Sequence, residues 1–268
     1  MTGVGRLGRT LLSGYFVLLV VFLYVPLVVL VIFAFNNNPI QTLPLSGFTT
    51  RWFHQALSNS DLTGAIERSA WIAAVNGLAA TFLGTLAALG LAGRRLRLRP
   101  LVTMLVLLPL VVPYLVLAIG MLILLHQLGI NASLEAVLAG HIVISLPYAV
   151  LVILPRLRTL EQSIVEAARD LGANELEAFM RVTLPLLAPA LVSSFLIAFT
   201  ISFDEFAIAY FLAPAGSPTY PVFLYSGTRA AALVPEVIAT GAVVIAFSMT
   251  LVVCAEVGRR WAERRLAV

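Results

Sequence analysis

"EAARDLGANELEAFMRVTLPLLAPA", Glu166–Ala190, is the most charged and most punctuated segment of a chain that is otherwise nearly all hydrocarbon. From Ser163 the pattern SIVEAARDLG predicts a short amphipathic helix, with Ile164, Ala167, Ala168 and Leu171 on one face and Glu166, Arg169 and Asp170 elsewhere. Gly172 supplies a left-handed stop. Asn174, with Glu177 three residues later, forms a capping box that starts a second helix, whose apolar side is Leu176, Phe179, Met180 and Leu184. Pro185 and Pro189 are expected to limit the loop, with Pro189 in the first turn of the next segment. A helix, a sharp turn and a second helix make a docking element. A segment that lies flat on lipid carries several basic residues on its polar face, whereas here acids outnumber arginines.

Outward from this pair the chain is apolar. Of its 268 residues 60% are apolar and 11% charged, against about 25% charged in an ordinary soluble domain. Runs long enough to cross a bilayer recur at 11–35, 69–93, 101–125, 136–155, 186–212 and 236–258. They predict an all-α membrane protein with six transmembrane helices in one domain, 1–268. The runs are too long and continuous for the alternating strands of a barrel. Arg6 and Arg9 followed by an apolar run imitate a signal peptide, but Thr10–Phe35 is 26 uncharged residues without a small-residue cleavage site, so this run is expected to stay as a span.

Orientation follows from the basic residues, because short cytoplasmic loops retain positive charge. The net charge of +4 comes from 17 arginines and no lysine. With both termini inside, only Arg51, Arg68 and Arg229 fall outside. This places the loop 159–185 in the cytoplasm. The arginines cluster between apolar runs and form no nucleic-acid-binding face. The connector NNNPIQTLPLSGFTTRWFHQALSNSD (36–61) then lies outside, with a short interfacial helix expected at Trp52–Ala56.

Within the runs, Ala73, Gly77, Ala80, Gly84 and Ala88 recur at helical spacing, a stripe that lets two helices approach closely. Pro109 and Pro113 predict a kinked or locally opened helix, tolerated where protein or a cavity covers the freed carbonyls. Asp204 and Glu205 are the acids of the fifth run, and carboxylates at such depth face a cavity, a partner or a pathway. Consecutive helical residues point about 100° apart, so at most one of the two faces a pathway squarely. Asp204 is read as a cation-attracting group or as a hydrogen-bonding group at a subunit contact.

Several chemistries are excluded or left without support. There is no GxxxxGK[ST] loop to cradle ATP phosphates, and no HExxH or GxSxG. GVGRLG (3–8) fits GxGxxG only formally, since no strand precedes it. His54, His126 and His141 lack ligand-like spacing and are read as packing or interface residues; Cys254, the single cysteine, is read as a small core residue.

The loop resembles the signature of permease subunits of binding-protein-dependent ABC importers of type I, the MetI-like fold. Glu166, Ala167 and Ala168 are followed by Gly172, and then by Val182, Leu184 and Pro185, at the family's spacing. The resemblance is strongest to the spermidine and putrescine branch, through LPLVVPYLVLAIGML (108–122), HIVISLPYAVLVI (141–153), SFDEF (202–206) and VPEV (234–237). It implies a non-catalytic inner-membrane subunit of a bacterial cell that pairs with a second permease, two cytoplasmic ATPase subunits and an extracytoplasmic solute-binding protein. It implies too that ATP and Mg bind the ATPase and that no cofactor binds this chain.

On the same resemblance, Glu166, Ala167, Ala168, Arg169, Asp170, Gly172, Leu184 and Pro185 couple to the ATPase, while Pro113, Tyr114, Asp204 and Glu205 line the solute path. The chain departs from some members after Pro113, where Tyr114 replaces a carboxylate. An aromatic there holds a cation by its π face, or lines a path for an organic anion or zwitterion. A polyamine is the expected solute; another small organic cation, zwitterion or carboxylate is the alternative. A stand-alone secondary transporter is the remote one, since such proteins often show repeated halves and none is evident here.

Overall fold

The computed structural model describes residues 6–93, 98–160, 162–229, 234–246 and 249–250. Among these, regular structure is helical apart from one bridge that pairs Asn36 with Phe48. The helices are α1 (Arg6–Ala34), α2 (Arg51–Ser58), α3 (Ser60–Ala92), α4 (Arg99–Leu107), α5 (Tyr114–Gln127), α6 (Leu134–Thr159), α7 (Gln162–Asp170), α8 (Glu175–Ala178), α9 (Leu184–Phe203), α10 (Ala207–Leu212), α11 (Tyr220–Arg229) and α12 (Val234–Ala246). Cys254 and the end of the run 236–258 lie outside the described residues.

The expected count of six membrane-crossing helices is corrected. Among the described residues four helices are long and apolar enough, Thr10–Ala34, Ser60–Ala92, Leu134–Thr159 and Glu175–Phe203, and a bent pair raises the number to at most five. That pair, Arg99–Leu110 and Tyr114–Gln127, turns through 101° within the run 101–125. Proline explains the turn. Pro109 has no N–H to continue the ladder and sits in a 3-10 turn, Leu108–Leu110, while Pro113 disfavours helix at Val112 and itself adopts ψ 133° before α5 begins. In the last run, the described helix α12 covers Val234–Ala246, and the remainder of the run is in part outside the described residues. The expectation that both termini are cytoplasmic falls on residues outside those described.

The chain divides into two compact units, residues 1–63 with 224–268, and residues 64–223. In the first, α1 is exposed along almost its whole length, including Tyr15, Phe16, Leu18 and Phe22, as expected of a helix solvated by lipid or by another subunit. Its end is tied to α2 through Asn36, which is fully buried. The Asn36 carbonyl accepts the Trp52 indole N–H at 2.7 Å, and its side-chain oxygen accepts the Ser46 backbone N–H at 3.2 Å. Asn59 donates to Glu236 at 2.8 Å, which joins the start of α3 to α12.

In the second unit α6 is the axis, lying along α9 and touching α10 and α5. The small-residue stripe of α3 is buried in this unit: Ala73, Ala80 and Ala88 are fully covered. A β-carbon added at Gly84 would stand 2.5 Å from the Ala149 side chain of α6, and one at Gly77 would stand 2.8 Å from the Phe195 ring of α9. Both helices therefore approach α3 more closely than any larger residue permits. Asn76, one residue away on α3, is buried and donates to the Ser145 hydroxyl and the Ala198 carbonyl, each at 2.9 Å. One amide thus bridges three helices without exposing a polar group to lipid.

Candidate functional site

The segment 162–183 forms the expected helix, turn and helix. Gly172 has φ +91°, its N–H bonds the Arg169 carbonyl at 2.8 Å, and the Ala173 N–H bonds the Ala168 carbonyl at 3.1 Å. These two bonds satisfy the last carbonyls of α7 in a Schellman motif, which requires a left-handed residue where glycine stands. The capping box is complete: the Glu177 N–H reaches the Asn174 side chain at 2.9 Å, and the Asn174 N–H reaches the Glu177 carboxylate at 3.1 Å. Arg169 on α7 pairs with Glu175 on α8 at 2.5 Å across the turn.

The pair leaves its apolar residues uncovered. Leu171 is 91% exposed, and Ile164, Ala167, Leu176 and Met180 are exposed as well, as are Glu166 and Asp170. Of the face assigned to α7 only Ala168 is partly covered, together with Val165, which was not assigned to it. A groove of about 340 Å³ inside the turn is lined by Leu171, Gly172, Glu177 and Arg181. A cavity of about 520 Å³ where the pair meets the longer helices is lined by Arg158, Arg169, Glu175 and Thr183.

Pro185 stands at the start of α9 but does not interrupt the helix. Residues Glu175–Phe203 run as one helical rod through a π-helical stretch at Phe179–Thr183. Pro185 offers no N–H to the Arg181 carbonyl, and the wider winding just before it accommodates that missing bond. At 1.5 Å per residue the rod is roughly 40 Å long. Its near end is α8, with Thr183, Ala178 and Leu187 buried at the junction and Leu184 partly so.

At its far end the rod breaks. The run 186–212 contains two helices, α9 and α10, separated at Asp204–Phe206. The two acids diverge there. Asp204 closes α9, its N–H bonded to the Thr200 carbonyl at 3.2 Å, and its side chain is exposed. Glu205 is 5% exposed, and its Oε2 accepts the N–H groups of Ile208 at 2.8 Å and Ala209 at 3.2 Å. These are free donors of the first turn of α10, so Glu205 caps that helix.

His141, also buried, stands beside this carboxyl. Its Nε2 lies 3.3 Å from Glu205 Oε2, a close contact without hydrogen-bond geometry. Its Nδ1 is 2.7 Å from the Ser202 hydroxyl. Sequence reading left His141 as a packing residue and passed over Ser202. The available signal was the polar pair His141 and Ser145, four apart in an otherwise apolar run, which puts two polar groups on one face of α6.

Tyr114 opens α5 directly after Pro113, with its hydroxyl 3.3 Å from that of Tyr148 on α6. Both rings are half-buried, and Tyr114 packs against the core formed by Ile144, Ile208 and Leu212. Among the described residues no group of three or more His, Cys, Asp or Glu could hold a metal ion.

A family profile described as binding-protein-dependent transport system inner membrane component matches residues 80–268. The chain is 30% identical to the spermidine/putrescine transport system permease protein PotC of Escherichia coli, over 93% of this chain and 94% of that protein. It is 36% identical to the putrescine transport system permease protein PotI of the same species, over 78% and 76%. It is 32% identical to PotC of Haemophilus influenzae, over 88% and 91%. The fold is shared with a chain of a bacterial ABC transporter involved in import of the acidic polysaccharide alginate, with a TM-score of 0.67 at 18% identity over 97% of this chain and 99% of that one.

Proposed function

The chain belongs to the binding-protein-dependent transport system inner membrane components, and on that premise we propose that it forms half of the solute path of an ATP-driven importer whose solute is a polyamine. It is a transport subunit of the bacterial inner membrane, not a catalytic one. Its partners on this reading are a second permease subunit, two cytoplasmic ATPase subunits that hold ATP and Mg, and an extracytoplasmic solute-binding protein. The 1–268 chain acts as a single permease domain.

The observation that carries the drive mechanism is the exposed helix pair continuous with a long rod. Loop 159–185 faces the cytoplasm and docks on the ATPase through Glu166, Ala167, Asp170 and the uncovered Leu171. Ala168 and Gly172 shape the turn, Arg169 ties α7 to α8, and Leu184 and Pro185 join the pair to α9. Closure of the ATPase dimer moves the pair, and α8 to α9 carries that displacement to the break at Asp204. The ATPase itself does the chemistry; this chain receives motion.

Polyamine transport is supported by the names of the relatives and by the exposed carboxyl of Asp204 beside a helix break, an arrangement that attracts a polycation. Tyr114 with Pro113 forms the wall at the 101° bend, where an aromatic face suits an alkylammonium group. The likeness to the alginate importer carries the fold and nothing about the solute.

Two experiments test the reading. Purification of the chain with its neighbours is expected to bring down an ATPase, and Glu166 or Gly172 substitutions are expected to abolish ATP-driven uptake while the complex still assembles. Binding of spermidine and putrescine by the cognate solute-binding protein is expected in preference to amino acids or sugars. A binding protein that prefers a carboxylate would sink the polyamine assignment and leave the importer assignment standing.

A further inference from the structure

The carboxyl of Glu205 is surrounded by groups of its own chain: two amide N–H donors of α10 and the His141 ring of α6, itself held by Ser202 of α9. Three helices therefore meet on one buried carboxyl. The approach is close, because a β-carbon added at Gly140, next to His141, would stand 2.6 Å from the Ile208 side chain of α10. The backbone at Asp204–Phe206 has left the helical ladder within an apolar run, and such a break persists only where protein groups or a water-filled cavity supply the missing partners. Glu205 supplies the acceptor, and His141 and Ser202 fix the position of that acceptor against α6 and α9.

We propose that Glu205, His141 and Ser202 form a clamp of positioning residues that holds the break between α9 and α10 in register, and so sets where Asp204 stands in the solute path. The proposal rests on Asp204 being the solute-facing acid; Glu205 is withdrawn from solute contact. The chemistry needed at position 205 is then an acceptor for two amides. A negative charge is not needed, so the neutral isostere glutamine serves: its oxygen accepts the Ile208 and Ala209 N–H groups and faces His141 Nε2 as the carboxylate oxygen does. A solute-binding acid would behave differently, because loss of its charge weakens attraction for a polycation whatever the hydrogen bonds do.

The test uses the complete transporter, with second permease, ATPase and binding protein, in proteoliposomes supplied with labelled spermidine. Glu205→Ala and His141→Ala are expected to lower maximal uptake about tenfold or more, the loss of a buried acceptor or its support, and to raise KM in the direction of Asp204→Asn, because Asp204 is displaced with the break. The double variant is expected to fall no further than Glu205→Ala alone.

Glu205→Gln is expected to keep most of the uptake, a rescue that a charge-dependent contact would not show. Glu205→Gln as inactive as the alanine variant, or carrying a KM raised about tenfold as expected for a lost charged contact, overturns the proposal. If Glu205→Ala fails to accumulate in the membrane, the Glu205→Gln result decides by itself. Asp204→Asn is the separate arm: a raised KM supports its solute-facing role, and an unchanged KM sinks that role while the Glu205→Gln result still judges the clamp.

Discussion

The two ends of the rod Glu175–Phe203 differ in how they satisfy a chain interruption. At the near end, the turn between α7 and α8 is exposed and stabilises itself: the Schellman bonds at Gly172, the capping box at Asn174 and the Arg169–Glu175 pair all span a few residues. At the far end, the break at Asp204–Phe206 is served by local bonds, from Glu205 to the Ile208 and Ala209 N–H groups, and also by a group distant in sequence, with His141 reaching it from α6. On the proposed reading the first end moves as a body, since its bonds lie within the turn, and the second is held from α6, so that the rod serves as a lever.

Substitutions that attack the distant bonds have the largest expected effects. Gly140→Val drives a side chain into Ile208 and Met121 of the packed unit, and is expected to destabilise it by about 3 kcal/mol, the upper range for overpacking. Thermal unfolding of the detergent-solubilised complex reads the change, and a shift of transition temperature within error would contradict the close approach of α6 and α10. Asn76→Leu strips the bridge among α3, α6 and α9 and leaves Ser145 without that donor. It is expected to lower stability by about 1–3 kcal/mol in the same measurement.

The near end is expected to lose function with less loss of stability. Gly172→Ala places a β-carbon on a residue at φ +91°, at a local cost of about 1–2 kcal/mol, with open space around it. The complex should assemble and unfold at a temperature close to the parent's, while ATP-driven uptake drops severalfold or more. Uptake at the parental rate would remove the turn from the drive mechanism. Asn174→Ala breaks one side of the capping box and is expected to cost about 1 kcal/mol, with a partial loss of uptake. Exchanging Arg169 and Glu175 for alanine together is the mildest change, because an exposed ion pair contributes about 0–1 kcal/mol.

The same difference explains what was legible in the sequence. The helix pair could be read because its determinants are local: a glycine at the stop, Asn and Glu three apart, and acids in place of a basic lipid face. The kink after Pro109 was legible for the same reason, although its angle of 101° was not. Pro185 misled in the opposite direction. A proline commonly marks a boundary, but the π-helical stretch before it absorbs the missing bond and the helix continues.

The two acids could be located but their roles could not be divided. Adjacent in sequence, Asp204 and Glu205 look alike, and only packing shows one exposed and the other taken up by amides and His141. The count of spans was overturned at the run 101–125, where hydrophobic length was taken as helix length and the chain is bent at proline; part of the run 236–258 lies outside the described residues.

Uptake of labelled spermidine by proteoliposomes containing the complete transporter, with ATP inside, tests the division of labour most directly when Asp204→Asn and Gly172→Ala are measured side by side. The account predicts that Asp204→Asn raises the spermidine KM and leaves uptake per ATP near the parental value, whereas Gly172→Ala leaves KM alone and lowers uptake per ATP. Spermidine uptake by this chain without the ATPase, or a pair of variants that change KM and coupling in the same way, would contradict it.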